Sequence, residues 1–163
     1  MSSPTPTSSI PASRTWRRAD LGDAALAARV IEVQHAGYAI EAELIGYPQL
    51  PPAHETVEQL QASGEELWLC EEDGALVGAV GLQSGKDELL IARLFVAPSA
   101  FRRGIGTALV HRALAEARGR RVRVGTAAAN APALALYERL GFRREREHEP
   151  APGLRYVELV RAP

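Results

Sequence analysis

Residues 88–118 constrain the fold most. A strand-forming run, Glu88 to Val96, passes through the basic, glycine-containing turn Arg102-Arg103-Gly104-Ile105-Gly106-Thr107 into the strongest amphipathic helix pattern of the chain. That helix is expected from Gly104 to Arg118 and carries Ile105, Leu109, Ala113, Leu114 and Ala117 on one stripe, close to a 3.6-residue period. Such a stripe has to be buried, so the chain must stack a helix on a sheet. The N–H groups that open a helix have no intrahelical partners and lie at the positive end of its dipole. With glycines that let a ligand approach the main chain, the turn reads as a phosphate cradle. A turn that needs glycine only for its geometry is the other reading of these residues.

The remaining pattern supplies the sheet. Thr15 to Ala19 reads as a first strand, Asp20 as a helix cap and Ala24 to His35 as a helix. Residues 36–53 read as a loop with a helical turn around Glu41–Leu44, and His54 to Ala62 as a short second helix. Glu66 to Glu71 and Ala75 to Gln83 form a hairpin about Asp73-Gly74, because both turn positions tolerate positive φ. Val122 to Thr126 is a strand. Pro132 to Leu140 is a helix with Asn130 near its N-cap and Gly141 as its stop. Phe142 to His148 and Leu154 to Arg161 close the chain as an antiparallel pair. The order β-α-α-β-β-β-α-β-α-β-β, with hairpins, predicts a mixed α/β sheet covered by helices.

Composition narrows the classes. The chain has 163 residues, 46% hydrophobic and 24% charged, enough for one globular core without disulfides or a structural metal. Residues 1–13 are Ser-, Pro- and Thr-rich and are expected to be a flexible tail, leaving 14–163 as the domain. Nineteen basic against twenty acidic residues leave a net charge of −1, which gives no global field to collect nucleic acid. Arg118, Arg120, Arg121 and Arg123 read as a solvated cluster. One cysteine, Cys70, excludes an internal disulfide and a cysteine-rich zinc site, and reads as a buried strand thiol. No apolar run reaches the roughly 18 residues of a membrane span, and the N-terminus lacks the features of a signal peptide. A cytoplasmic protein that binds neither membrane nor nucleic acid is expected.

Two phosphate-binding motifs fail. No Gly-x4-Gly-Lys-Ser/Thr occurs, and the dinucleotide fingerprint would need a small residue at Leu109 and an acid after Val122–Thr126. What fits is different. Leu94-Phe95-Val96-Ala97-Pro98, followed by Phe101-Arg102-Arg103-Gly104-Ile105-Gly106-Thr107-Ala108-Leu109, closely resembles the central motif of the GNAT family of acyl-CoA-dependent N-acetyltransferases. Asn130-Ala131-Pro132-Ala133-Leu134-Ala135-Leu136-Tyr137-Glu138-Arg139-Leu140-Gly141-Phe142 resembles its second motif. The chain departs from the family pattern at Phe101, which stands where Gln or Arg is common.

The resemblance implies a GNAT-like fold: a mixed, mostly antiparallel sheet splayed between the fourth and fifth strands and flanked by helices. Acetyl-CoA, with no metal, would lie in that V. Leu94, Phe95 and Val96 would meet its pantetheine arm like an added strand, and Arg102, Arg103, Gly104, Ile105, Gly106 and Thr107 its pyrophosphate. Asn130 would contact the pantetheine and Tyr137 would sit near the sulfur as proton donor. A thiol titrates near 8.5 and a phenol near 10, so full proton transfer from Tyr137 costs about 2 kcal/mol unless its pKa falls. The family often carries a Glu where Leu90 stands here; Glu88, two residues earlier on the same strand face, is the candidate base. His35 and His54 read as ordinary helix residues. Tyr38, Glu41, Glu43 and Tyr47 lie in the region expected to shape the acceptor pocket, where they could attract a cationic amine. The expected activity is acetyl transfer to the amine of a small molecule, peptide N-terminus or lysine. The alternative is a non-catalytic acyl-CoA-binding or sensing module. Either is compatible with a homodimer.

Overall fold

The structure, a computed structural model, describes residues 13–163; residues 1–12, most of the expected tail, lie outside the described residues. The described elements are β1 (Arg14–Arg18), α1 (Ala24–Ile45), α2 (Val57–Gln61), β2 (Glu66–Glu72), β3 (Ala75–Ser84), β4 (Glu88–Val96), α3 (Ile105–Ala117), β5 (Arg121–Ala127), α4 (Ala131–Arg139), β6 (Arg143–Ala151) and β7 (Leu154–Arg161). The strands form a seven-stranded sheet in the order β1-β2-β3-β4-β5-β7-β6. Every neighbouring pair is antiparallel except β4 with β5.

Each face of the sheet buries one apolar cluster. Ile105, Leu109, Val110 and Ala113 of α3, with Leu134 and Tyr137 of α4, cover Val80, Leu89, Ile91, Val122 and Val124. On the other face Leu26, Val30, Ile31 and Tyr38 of α1, with Leu60 of α2, cover Leu67, Leu69, Ala79 and Phe95. Cys70 is fully buried in β2.

The N-terminal helices differ from expectation. Helix α1 starts after Asp23, whose side chain accepts from the N–H groups of Ala25 and Leu26, and it runs ten residues past His35, to Ile45. Gly46, at φ 67°, ends it. The buried stripe continues through Gln34, Tyr38 and Ala42, and its polar members break the apolar period in sequence. The second helix is shorter than expected. It begins after Thr56, which forms a reciprocal capping box with Gln59, so His54 and Glu55 precede it.

One irregularity in β4 sets up the site. Gly81 pairs with Arg93 but Leu82 pairs with Ile91, leaving Ala92 as an extra residue. This bulge reverses which face each following side chain takes. Leu89 and Ile91 face the α3 side; beyond the bulge Leu94 and Val96 do so, while Phe95 turns to α1. Pairing between β4 and β5 covers only Glu88–Ile91 against Arg121–Val124. Beyond Ile91 the two strands part.

The bulge also aims Arg93 into a polar knot under α1. Its guanidinium donates to both oxygens of Glu65 at 2.8 and 2.6 Å, both of Glu55 at 2.7 and 3.1 Å, and Gln34 Oε1 at 2.8 Å. Gln34 Nε2 donates to Glu55 and to the Pro52 carbonyl. The side chains of Arg93, Glu65 and Glu55 are only 8%, 5% and 17% exposed, so these charges depend on one another rather than on water. Through Glu55 the knot fixes the chain between α1 and α2.

Candidate active site

The parting of β4 and β5 puts two helix N-termini at the same end of the sheet, since α3 follows β4 and α4 follows β5. They differ in one respect. At α4, Asn130 Oδ1 accepts from the Ala133 N–H at 3.2 Å and caps the helix. At α3 the cap is Gly104, left-handed at φ 76°, with no side-chain hydrogen bond and no acidic residue in the first turn. Arg102 is also left-handed, at φ 64°. The N–H groups of Ile105, Gly106 and Thr107 therefore open the helix without a side-chain partner. Gly106 packs against α4, where an added Cβ would stand 3.4 Å from Leu136. This donor set, at a positive dipole end with no acidic residue in the first turn, fits a phosphate. Of the two arginines in the turn, Arg103 is paired with Glu72, while the Thr107 hydroxyl accepts from Arg139 at 3.4 Å.

The open edge of β4 is not bare. The Tyr38 hydroxyl donates to the Leu94 carbonyl at 3.1 Å and accepts from the Leu94 N–H at 3.2 Å. Both groups lie beyond the last β4–β5 pair, so a phenol on α1 stands in for the missing strand partner. Helix α1 comes equally close at Gly37, where a Cβ would meet the Val96 carbonyl at 2.7 Å. Phe95, buried on the α1 side, packs against Tyr38 with ring centroids 6.2 Å apart.

Tyr137 lies on α4, buried on the opposite face, with its ring edge-on to Phe142 at 5.5 Å. Burial, and secondly the Glu41 charge, push its phenol well above the usual tyrosine range. It therefore stays protonated at working pH, and the fall in pKa that would ease outright proton transfer is not provided. The amide of Asn130 is engaged at both ends: besides capping α4, its Nδ2 donates to Glu41 Oε1 at 2.8 Å. Burial holds the Glu41 carboxyl above the ordinary range, against the opposing pull of that hydrogen bond.

Glu88 is placed elsewhere. It opens β4 at the closed end of the sheet, six residues before Leu94, or roughly 20 Å of extended strand. There it accepts from Arg123 Nε at 2.6 Å, and Arg123 also reaches Glu145 and Glu158. The structure does not bring Glu88 together with Tyr137. Arg120 is bonded to the carbonyls of Ala117, Gly85 and Glu116, so the cluster of arginines is partly internal cross-linking. His35 is tied to the Glu55 carbonyl at 2.6 Å and His54 to that of Pro48 at 2.8 Å. Tyr47 reaches the β6–β7 turn through the Pro152 carbonyl. From the sequence Tyr38 falls in a loop and Glu41 in a short helical turn, and neither partner is legible, because a helix running on to Ile45 is what presents them to Leu94 and Asn130. Among the described residues, no group of three or more His, Cys, Asp or Glu is arranged to hold a metal, and no helix is long and apolar enough to cross a membrane.

The family model described as "Acetyltransferase (GNAT) family" matches residues 30–142. The UPF0157 protein YqkA of Bacillus subtilis (strain 168) is 35% identical over 81% of this chain, which spans 39% of that relative's length. The peptidyl-lysine N-acetyltransferase YiaC of Escherichia coli (strain K12) is 39% identical over 46% of this chain and 48% of its own length. The chain thus spans less than half of either of these curated relatives. The uncharacterized N-acetyltransferase YjgM of the same Escherichia coli strain is 31% identical, over 81% of this chain and 83% of its own. Among solved structures, the ribosomal-protein-S18-alanine N-acetyltransferase from Escherichia coli superposes with a TM-score of 0.74 at 19% identity, covering 91% of this chain and 93% of that one. A GNAT family acetyltransferase from Elizabethkingia anophelis, with acetyl-CoA bound, gives a TM-score of 0.69 at 17% identity over 92% and 98% of the two chains.

Proposed function

The chain belongs to the GNAT acetyltransferase family, and we propose that it moves an acetyl group from acetyl-CoA to the amine of a small-molecule or peptide acceptor. The observation that carries this reading is the N-terminus of α3, with no side-chain cap and no acidic residue in its first turn, at the end of the sheet where β4 and β5 part. Gly104, Ile105, Gly106 and Thr107 would hold the pyrophosphate through main-chain N–H groups, with Arg102 and Arg103 beside them. The β4 edge at Leu94–Val96 would hold the pantetheine. The hydroxyl of Tyr38 now occupies Leu94, so it would have to move aside or share that edge. Asn130, at the start of α4, would contact the pantetheine arm, and its Nδ2 now donates to Glu41.

Acetyl-CoA, when bound, supplies an acyl group already activated by a thiol leaving group. The residues of this chain supply the rest. Tyr137 holds a proton at its hydroxyl, and no described residue takes that hydroxyl in a hydrogen bond. Because its phenol is pushed up, it serves as a donor that is re-protonated as it gives, not as a strong acid. A main-chain N–H near Val96 would polarise the acetyl carbonyl, since that of Leu94 is taken by the Tyr38 hydroxyl. Glu88, at the closed end and paired with Arg123, is a poor proton acceptor for an amine bound there. A peptide lysine is an acceptor class that the partial likeness to YiaC supports.

The reading is tested by ligand choice. Acetyl-CoA at about 100 times its Kd should stabilise the fold by about 2.7 kcal/mol, raising Tm by roughly 5–10 °C. NAD and ATP at the same concentration should leave Tm within a degree or so. Equal stabilisation by NAD would overturn the assignment of the cradle.

A further inference from the structure

Glu41 is half-buried, 89 residues in sequence from the one group it bonds, Asn130 Nδ2. That bond occupies Oε1; neither a second hydrogen bond nor a cation satisfies the rest of the carboxylate among the described residues. A carboxylate taken partly out of water without a cation is costly. The other half-buried acids of this fold are treated differently: Glu55 and Glu65 share Arg93, and Glu72 has Arg103 and Arg14.

The surroundings point to what is missing. Tyr38 lies one turn before Glu41 on α1. Tyr156 stands opposite Ala127 in the β5–β7 ladder and packs on the α1 side of the sheet, and the Ala127 carbonyl accepts from the N–H of Asn130, so Tyr156 lies close to the Asn130–Glu41 pair. Tyr137 belongs to the opposite face of the sheet, yet the Glu41 charge reaches it as it does Tyr38 and Tyr156, a reach that the parted strands allow. A lone carboxylate among tyrosine rings is the chemistry that recognises an ammonium group.

We propose that Glu41, held in place by Asn130, is the group that receives the charged amino end of the acceptor, and that the acceptor is a primary amine presented as its ammonium ion. This rests on the acetyl-transfer reading. It makes Glu41 a determinant of acceptor charge: neutral nucleophiles of the same shape are discriminated against, and the ammonium enters where its charge satisfies the unpaired carboxylate oxygen. Asn130 then couples two jobs, closing α4 with its oxygen and orienting Glu41 with its nitrogen.

The test uses the full chain, labelled with nitrogen-15, and reads the side-chain amide of Asn130 by NMR. The probes are n-butylammonium chloride and its neutral counterpart n-butanol. The amine should shift the Asn130 side-chain signal saturably, and butanol at equal concentration should not. In Glu41→Gln, which keeps an oxygen for Asn130, the amine should bind about tenfold more weakly. A structural role predicts that Glu41→Gln lowers Tm. Release of an uncompensated buried charge predicts a rise of a few degrees at pH 7. The sign follows from the carboxyl being held high in the fold: its charged form is the disfavoured one, so the gain should vanish as pH falls below the ordinary carboxylate range. Equal response to butanol and butylammonium, or unweakened amine binding in Glu41→Gln, would overturn the proposal. Should the variant fail to fold, the amine–alcohol comparison on the parent protein still decides. Titrating acetyl-CoA into the same sample separates the two readings: failure to bind it counts against acetyl transfer, while a null amine response with acetyl-CoA bound counts against Glu41 alone.

Discussion

Tyr137→Phe should lower kcat by about 100- to 10,000-fold, the range for loss of a positioned proton donor, while acetyl-CoA affinity should stay within a few-fold of the parent. The substitution keeps the ring against Phe142 and removes only the hydroxyl. The fold should survive it, because that hydroxyl is not bonded to a described residue and the buried ring does the packing. Steady-state kinetics at saturating acetyl-CoA and amine check the effect on kcat, and calorimetric titration of acetyl-CoA checks the binding. An unchanged kcat would remove Tyr137 from the chemistry and leave solvent as the proton source. Because the phenol is pushed above its usual range, the parent should show no fall in kcat between pH 7 and about 9 from ionisation of Tyr137; an alkaline limb there belongs to another group.

Arg93→Ala should destabilise the fold by about 3–5 kcal/mol, the cost of leaving buried partners of a broken ion pair uncompensated. Two carboxylates, Glu55 and Glu65, and the buried amide oxygen of Gln34 lose their common donor at once. For a domain of this size that corresponds to a drop in Tm of roughly 10 °C. Urea titration with an unchanged m-value is the check. Adding Glu55→Gln and Glu65→Gln to Arg93→Ala should recover part of the loss, since it removes the stranded charges. A cost below about 1 kcal/mol would mean that water reaches the knot and that it does not fix the chain entering α2.

Sequence legibility followed the range of the interactions involved. The boundaries of β4, α3, β5 and α4 were readable because local signals set them: Gly104 and Asn130 at helix starts, Gly141 beyond a helix end, and apolar periods between. The family resemblance is carried by this same continuous stretch, and the mixed sheet parted between its fourth and fifth strands is as expected from it. What was not readable depends on contacts far apart in the chain. The stop of α1 was placed ten residues early because its buried stripe runs through Gln34 and Tyr38, whose burial depends on Arg93 and Leu94 some 56–59 residues away. Glu88 was singled out by strand parity, which says which face a side chain takes but not at which end of the strand the sheet opens. The bulge at Ala92 then reverses that parity before the site is reached. Glu41 carried no sequence signal of its own beyond being acidic in the acceptor region; only the fold brings it to Asn130.

Acetyl transfer itself is tested most directly by incubating the protein with acetyl-CoA and a panel of amines. The panel should include a peptide with a free N-terminus, a peptide whose only amine is a lysine, and simple alkylamines. Thiol release is followed while the acceptors are weighed by mass spectrometry. The account predicts thiol release that depends on amine, with one acetylated acceptor formed per thiol, and with Tyr137→Phe slowing both together. Tight binding of acetyl-CoA, with thiol release no faster in the presence of any amine than in buffer and no acceptor gaining an acetyl group, would contradict it and leave a module that binds acyl-CoA without using it.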